Sequence, residues 1–577
     1  MACEDGPGGW LAAGPEERRD DVTIQQSGEK ATETGSPAVW DEVIRDEVMA
    51  DGAMQHFGLT LDKFLDHAAH WHPDAEVVSA NLDGTISRAG YGAIRARALE
   101  VSGLLAGLGV TVGSRVATLA WNGQAHFEAW YGIMGLGATC HTLNPRLTAE
   151  QSGAMLRQSG AAILIVSADL LPLAGKIADH APALSRVYVI DRGAGGSTAM
   201  RPGVTVERLA PGGGDPANPV VWGEFDETTA SGLCFTSGTT GAPKGVTYTH
   251  RSSYLHTLRL LQADVLGITA ADSILAVVPM FHASAWGLPF AAPAVGARLV
   301  LPGRQADGAS LARLIASEGV TLGVGVPTVW LGLVEHLEQN GGELPSLKRI
   351  LVGGAPLPPA LMQRIEQRLG VTVQTSWGMT ELSPSGTMAV PGDPARRASV
   401  SGRPAVGVDL QLCDPGGNPL PGQRGVEGHL HVRGAAVIER YLGDAGPAVN
   451  AAGWFDTGDL ARIDEAGNLI ITGRAKDLIK SGGEWINPAE IEAVIGALPE
   501  VSLAAVIARP DAKWGEQPVL LVEVRAGQEI SDEELLASLQ GRVASWWIPR
   551  TVIRTKMPMA STGKIDKMRL KADYGHA

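Results

Sequence analysis

A chain of 577 residues with 62 acidic and 47 basic side chains carries a formal net charge of −15. It is too long for one core of ordinary size and lacks the basic surplus of a nucleic-acid binder. No run of about 18 apolar residues is present for a membrane span, and the opening MACEDGPGGW lacks the basic and apolar regions of a secretion signal. A cytoplasmic protein without a membrane span is therefore expected. The cysteines Cys3, Cys140, Cys234 and Cys413 are scattered, with neither disulfide-framework nor zinc spacing.

In chain order, residues 1–55 come first, an acidic stretch in which residues 1–51 hold 13 acids against 4 bases. Weak apolar periodicity there predicts a flexible N-terminal extension. Beyond it, AIRARALEVSGLLAGLG has helical spacing, while RVATLAW, AAILIVS and RVYVI read as buried strands. Strands interleaved with helices predict an α/β fold with substantially parallel sheets over a large domain, residues 56–475. RGAGGSTAMRPG and PGGGDPANP read as surface loops flanking a short strand. After GRAKDLIKSGGEW the pattern changes. A helix INPAEIEAVIGALP, strands VSLAAVIA and VLLVEV, and SDEELLASLQGRVASWW with a Ser531/Glu534 capping box predict a small mobile α+β domain over residues 476–577.

TSGTTGAPKG, residues 236–245, lies between the apolar run GLCF and the β-branched run VTYTH. A Walker A loop would have its lysine followed by Ser or Thr and then a helix. Here Pro243 precedes Lys244, and Gly245 and a strand follow, so the stretch reads as a hairpin. Its amides, Thr236, Ser237, Thr239, Thr240 and Lys244 could surround phosphate oxygens.

Further along come VPMFHASAWG (278–287), VGGAPLPP (352–359), SWGMTE (376–381), WFDTGDL (454–460), GRAKDLIKSGGEWINPAEIE (473–492) and STGKIDK (561–567). Together with the hairpin, these motifs resemble, in order, those of the adenylate-forming superfamily: acyl-CoA synthetases, luciferases and the adenylation domains of peptide synthetases. The likeness runs from about residue 59 to 567 and is strongest to the medium-chain fatty acyl and methylthiopropionate CoA ligase branch. It implies an acyl-CoA synthetase-like fold and a two-step reaction using ATP, Mg²⁺ and coenzyme A. A carboxylate first attacks the α-phosphate of ATP, releasing pyrophosphate. A nucleophile, usually the thiol of coenzyme A, then captures the acyl adenylate. A homodimer is also common among similar enzymes.

The resemblance assigns roles by position. Thr236, Ser237, Gly238, Thr239, Thr240, Gly241 and Lys244 would hold phosphates. Gly353, Gly354 and Ala355 would wall the adenine, followed along the nucleotide by Ser376, Trp377, Gly378, Met379 and Thr380. Glu381, with Thr236, would hold Mg²⁺, a hard cation suited to carboxylate oxygen. Asp459 would accept from the ribose hydroxyls, with Arg474 beside it. His282 would stand where carboxylate meets α-phosphate, and Lys564 would bridge the two as a point charge. Lys476 falls at the hinge position, and Ser481, Gly482, Gly483, Glu484 and Trp485 would line the thiol's tunnel once the small domain has rotated.

For the acyl group, Phe281, Trp286, Gly325, Val326, Trp330, Gly353, Thr375, Ser376, Trp377 and Ser385 are candidate walls. HASAWGLP offers no carboxylate to pair an α-amine, so an uncharged tail is expected, medium-chain aliphatic first and arylalkanoic second. The alternative is an adenylate-forming enzyme that passes its acyl group to an amine or a carrier protein.

Overall fold

The runs RVATL, ILIV and RVYV become the strands Arg115–Leu119, Ile163–Val166 and Arg186–Val189 of a computed structural model, each buried almost throughout. Burial on both faces is what a helix-covered parallel sheet requires of its strands. The structure describes residues 54–190, 198–209, 220–236, 243–560 and 563–576. The acidic stretch up to residue 53, the first half of RGAGGSTAMRPG and all of PGGGDPANP lie outside the described residues.

From Gly58 to the C-terminal end the chain forms one compact unit. In it, a seven-stranded sheet runs in the order Thr205–Arg208, Arg186–Val189, Ile163–Val166, Arg115–Leu119, Thr139–Thr142, Ala230–Phe235, Gly245–Thr249. Only the last pair is antiparallel. That pair is the hairpin read from GLCF and VTYTH, its ladder reaching Phe235 opposite Gly245.

A nine-stranded sheet has a parallel centre of Arg298–Leu301, Ser273–Ala276, Leu322–Gly325, Arg349–Val352 and Thr372–Gly378. The predicted helix near Ala93 spans Tyr91–Gly107 and packs on Gln124–Met134. Phe127, Trp130, Tyr131 and Phe290 form an aromatic group in the core beneath. Four antiparallel strands, Val408–Cys413, Glu427–Gly434, Phe455–Ile463 and Leu469–Arg474, make a third sheet. Between Arg474 and Ile479 the chain passes to a fourth sheet of five strands with its own apolar cluster. There Asn487 caps helix Pro488–Gly496, and the Ser531/Glu534 capping box forms as read. Its helix stops at Ser538, well short of the tryptophans, which fall in a separate turn, Ser545–Trp547.

Gly402 joins two of these sheets. Its carbonyl accepts from Leu469 N at 2.8 Å, its φ is +79°, and a Cβ there would meet Met388 backbone at 1.9 Å. Gly402→Ala is therefore expected to destabilise the fold by about 3 kcal/mol or more, read as a lower urea midpoint.

The core also holds imidazoles that burial keeps neutral. His126 is pushed down to about 4, His141 to about 3 and His250 to about 3, against an ordinary value of 6.5. Between those limits the unfolded chain binds more protons than the folded one, so stability falls as pH falls. It is fully present above 6.5 and is lost toward pH 4. The thermal midpoint should drop steadily across that window, and a flat profile from 6.5 to 4 would contradict the burial argument.

Candidate active site

Parallel strands present their C-terminal ends to a ligand, and two adjacent ones do so here. Arg349–Val352 leads into Gly353, Gly354 and Ala355, and its neighbour Thr372–Gly378 ends in Ser376, Trp377 and Gly378. Ser376 Oγ donates to Val352 O at 3.3 Å, tying the two ends.

Trp377 Nε1 donates to Asp459 Oδ2 at 2.8 Å, and Arg474 Nε meets Asp459 Oδ1 at 2.6 Å. Asp459 and Arg474 are cross-strand partners in the four-stranded sheet, so the ladder itself sets this pair. Asp459 is only 2% exposed. Burial raises its pKa, opposed by Arg474, the indole hydrogen bond and Lys564.

The Gly378–Met379 turn carries Thr380 and Glu381, both buried. Tyr441 OH donates to Glu381 Oε1 at 2.9 Å, and Tyr248 OH donates to the Thr380 carbonyl at 2.8 Å. Lys244 Nζ stands 4.6 Å from the Tyr441 ring, and Thr236 N donates to Lys244 O at 2.9 Å, closing the base of the hairpin. Ser237, Gly238, Thr239, Thr240 and Gly241 lie outside the described residues.

Opposite these, Asn122 fixes the segment before His282. Its Nδ2 donates to Ala276 O and Val278 O at 3.0 and 2.8 Å, and its Oδ1 accepts from Met280 N at 2.7 Å. Phe281 packs edge-on to Trp121, with the Arg146 guanidinium 5.9 Å from its ring. The backbone then turns left-handed for four non-glycine residues, Ala283, Ser284, Ala285 and Trp286, at φ 43°, 54°, 47° and 55°. Gly287 follows at 80°. Such a turn puts each Cβ close to a carbonyl oxygen and costs about 1–2 kcal/mol per residue. It lays the Trp286 indole on Gly353 and Gly354, 3.1 Å from where a Gly353 side chain would begin.

Lys564 arrives from the fourth sheet. Thr328 Oγ1 donates to Gly563 O at 3.3 Å, and Lys564 Cε lies 3.9 Å from where a Gly354 Cβ would stand. Its ammonium feels Asp459, Glu381 and Arg474, and it acts in turn on His282. Burial, then Arg474, lowers the Lys564 pKa against the pull of Asp459 and Glu381. By surface area the residue as a whole remains exposed, so solvent screens these interactions in part. Burial, Lys564 and Arg146 hold the His282 imidazole at about 4, neutral near pH 7. Lys476 sits in the turn Ala475–Asp477 between the third and fourth sheets. Ser481, Gly482, Gly483 and Glu484 form a hairpin tip, with Trp485 exposed beside Lys480.

The family model described as AMP-binding enzyme matches residues 65–442, and that of the AMP-binding enzyme C-terminal domain matches residues 490–564. The chain belongs to the AMP-binding enzyme family. It is 39% identical over 538 residues to the 3-methylmercaptopropionyl-CoA ligase of Ruegeria lacuscaerulensis, covering 91% of this chain and 99% of that one. To the medium-chain-fatty-acid–CoA ligase of Ectopseudomonas oleovorans it is 40% identical over 534 residues, covering 91% and 97%. An anthranilate CoA ligase solved with anthranoyl-AMP shares the fold, with TM-score 0.79 at 24% identity over 91% of this chain and 99% of that one. This member of the AMP-binding enzyme family is an AMP-forming acid–CoA ligase. It activates a carboxylic acid with ATP and transfers the acyl group to coenzyme A. Among the described residues no helix is long and apolar enough to cross a membrane.

The donor set of the ligase fits Mg²⁺. Glu381 is 8% exposed and only its Oε1 is engaged by a described group, which leaves a buried carboxylate oxygen for a hard cation that takes its other ligands from phosphate and water. Two expected walls belong elsewhere. Trp330 is wholly buried between helix and sheet, and its ring fills the space beside Gly325 at 3.3 Å. Thr375 donates its hydroxyl to the Val400 carbonyl. Gly325 thus makes room for a core side chain, while Val326 lies against Gly563. Tyr441, Tyr248, Asn122 and Arg146 were not legible in advance. Each acts through a partner distant in sequence; Tyr248 lies in the strand read from VTYTH, but nothing in that run announces Thr380 as its partner.

Ser284→Gly should relieve one strained position of the left-handed turn. The expected gain is about 1 kcal/mol, measured as a raised thermal midpoint, and an unchanged or lowered midpoint would mean the turn is not strained.

Proposed function

We propose that the ligase activates a medium-chain or arylalkanoic acid, whose carboxylate meets the α-phosphate of ATP between His282 and Lys564. The observation that carries this reading is that Lys564, more than 80 residues beyond Arg474 in sequence, stands in one cleft with His282, Asp459 and Glu381. Two anions must approach there. Unit charges 4 Å apart repel by about 1 kcal/mol in water but about 4 at an effective dielectric of 20, so positive charge must be supplied on site.

In this reading the Lys564 ammonium lies across the attacking carboxylate and the α-phosphate. His282, neutral at working pH, donates one ring N–H to a phosphate oxygen. Lys244 and Thr236 hold the outer phosphates with the hairpin amides. Asp459 keeps lone pairs free for ribose hydroxyls while Arg474 and Trp377 fix its orientation. Gly353, Gly354 and Ala355 border the adenine. Glu381, oriented by Tyr441, and Thr236 would hold Mg²⁺, which when bound neutralises phosphate charge. Rotation at Lys476 then withdraws Lys564 and brings the Ser481–Trp485 hairpin to the thiol of coenzyme A. The relatives' names support an acyl tail of the thioether-propionate or medium-chain kind. We further propose that the ligase works as a homodimer in the cytoplasm, and gel filtration of the purified chain tests the first.

Purified ligase given ATP, Mg²⁺ and a panel of acids, with and without coenzyme A, should release AMP and pyrophosphate with acids of this class. Lys564→Ala should slow pyrophosphate release by about 10²–10³-fold while sparing thiolysis of presynthesised acyl adenylate. Equal loss of both half-reactions would contradict the division of labour.

A further inference from the structure

Arg259 is 7% exposed, and its Nη2 has no hydrogen-bond partner among the described residues. Burial alone lowers its pKa, to about 10, so it is charged at neutral pH, and no carboxylate acts on it. Other arginines with an unpartnered buried nitrogen differ. Arg97, Arg364 and Arg396 each bond a glutamate, Glu128, Glu338 and Glu366, at 2.6 Å. A buried cation without a counterion is costly enough that proteins ordinarily pair or neutralise it.

Arg259 lines a narrow cavity with His256, Ser385, Thr387, Met388 and Ala405. The volume is about 10 Å³, room for one water-sized group. His256 Nε2 accepts from Ser385 N at 3.2 Å, and burial, then Arg259, holds the imidazole neutral, so Arg259 supplies the cavity's positive charge. Between the cavity and the cleft stand packed residues, His256, Gly287 and Trp286. The His256 ring lies 2.8 Å from where a Gly287 Cβ would stand, Gly287 follows Trp286, and Trp286 lies on Gly353 and Gly354 beside Lys564. From the reacting end the order is Lys564, Trp286, His256, Arg259.

We propose that Arg259 is a specificity-determining residue that receives the far end of the acyl tail, and that the preferred acid carries an oxygen acceptor there, a second carboxylate or a carbonyl. This rests on the ligase reading and refines its substrate. An apolar tail along Trp286 and Met388 would end in one oxygen acceptor set against Arg259 Nη2, with the Trp286 and His256 side chains moving aside to admit it because the cavity as it stands holds one water-sized group. The uncharged tail expected from HASAWGLP describes the wall near the reacting carboxylate, and Arg259 lies on a different element, helix His250–Leu260.

The test is AMP formation with medium-length monocarboxylic acids against partners of equal length ending in a carboxylate or a ketone. It is run on the wild-type ligase, Arg259→Met and Arg259→Lys. In the wild type, kcat/KM for the acceptor-ended acid should exceed that of the methyl-ended one by at least about tenfold at some chain length. Arg259→Met should invert the preference, with Arg259→Lys between. The ratio of two acids within one variant cancels any loss of folded protein, and Arg259→Lys, which keeps the charge, supplies it should the methionine variant not fold. A wild type that prefers the methyl-ended acid at every length, with a ratio unmoved in the variants, overturns the inference and leaves Arg259 solvated by a trapped water. A wild type that forms no AMP with any acid defeats the ligase reading itself, and this inference with it.

Discussion

The site is organised around one ammonium. Lys564 lies in the turn between the fourth sheet's strand Thr551–Arg554 and helix Lys567–Tyr574, yet its field falls on His282, Asp459, Glu381 and Arg474, which come from three other parts of the chain. Each neighbour is held by something other than Lys564: Asp459 by Arg474 and Trp377, Glu381 by Tyr441, the His282 segment by Asn122. The anionic and polar half of the site is therefore complete without the lysine. In the proposed mechanism, Lys564 can therefore be withdrawn without collapsing the site.

The contacts that seat this charge are correspondingly slight. Among the described residues, Gly563 meets the large sheets through one hydrogen bond, from Thr328 Oγ1, and a close approach to Val326. A neutral hydrogen bond contributes about 0.5–1.5 kcal/mol net, so the Lys564 turn itself is lightly held, while Asn487 Nδ2 donates to Thr472 O at 2.7 Å where helix Pro488–Gly496 meets the third sheet. The buried Asp459 carboxylate and Glu381 attract the Lys564 ammonium, but burial and Arg474 outweigh that attraction, so the seat by itself does not favour the charge overall. Substrate anions entering the cleft would add to that attraction, and their conversion to products would subtract from it.

Much of this was legible in sequence because the motifs coincide with strand ends. Glycine-rich or turn-forming residues directly after an apolar run mark the C-terminal edge of a parallel sheet, as at Val352 and Gly378. The Asp459–Arg474 pair follows from two strands of one ladder. The supporting residues were not legible for an equally physical reason. Tyr441 reaches Glu381 across 60 residues, and Asn122 reaches Met280 across 158. A lone tyrosine or asparagine carries no periodicity that announces such a partner. Trp330 misled because large apolar residues near a cleft motif serve equally well as core, and helix Pro327–Asn340 turns this one inward against Gly323 and Gly325.

Local rules are obeyed over most of the molecule. Several helices are capped by side chains, among them Thr148, Thr249, Asp307 and Asn487, strands buried on both faces are apolar, and most buried charges are paired. Two violations stand close together: four consecutive left-handed residues ending at Trp286, and Arg259, whose Nη2 has no partner among the described residues, beyond Gly287 and His256. Strain and uncompensated charge persist where surrounding structure enforces them, and they concentrate at functional sites. The strained turn holds an indole over Gly353 and Gly354, and Arg259 lies behind it. A substrate that displaces the indole and neutralises the cation would relieve both at once. Binding energy gained at the unreactive end of the acid would then be available to hold its other end against the phosphate.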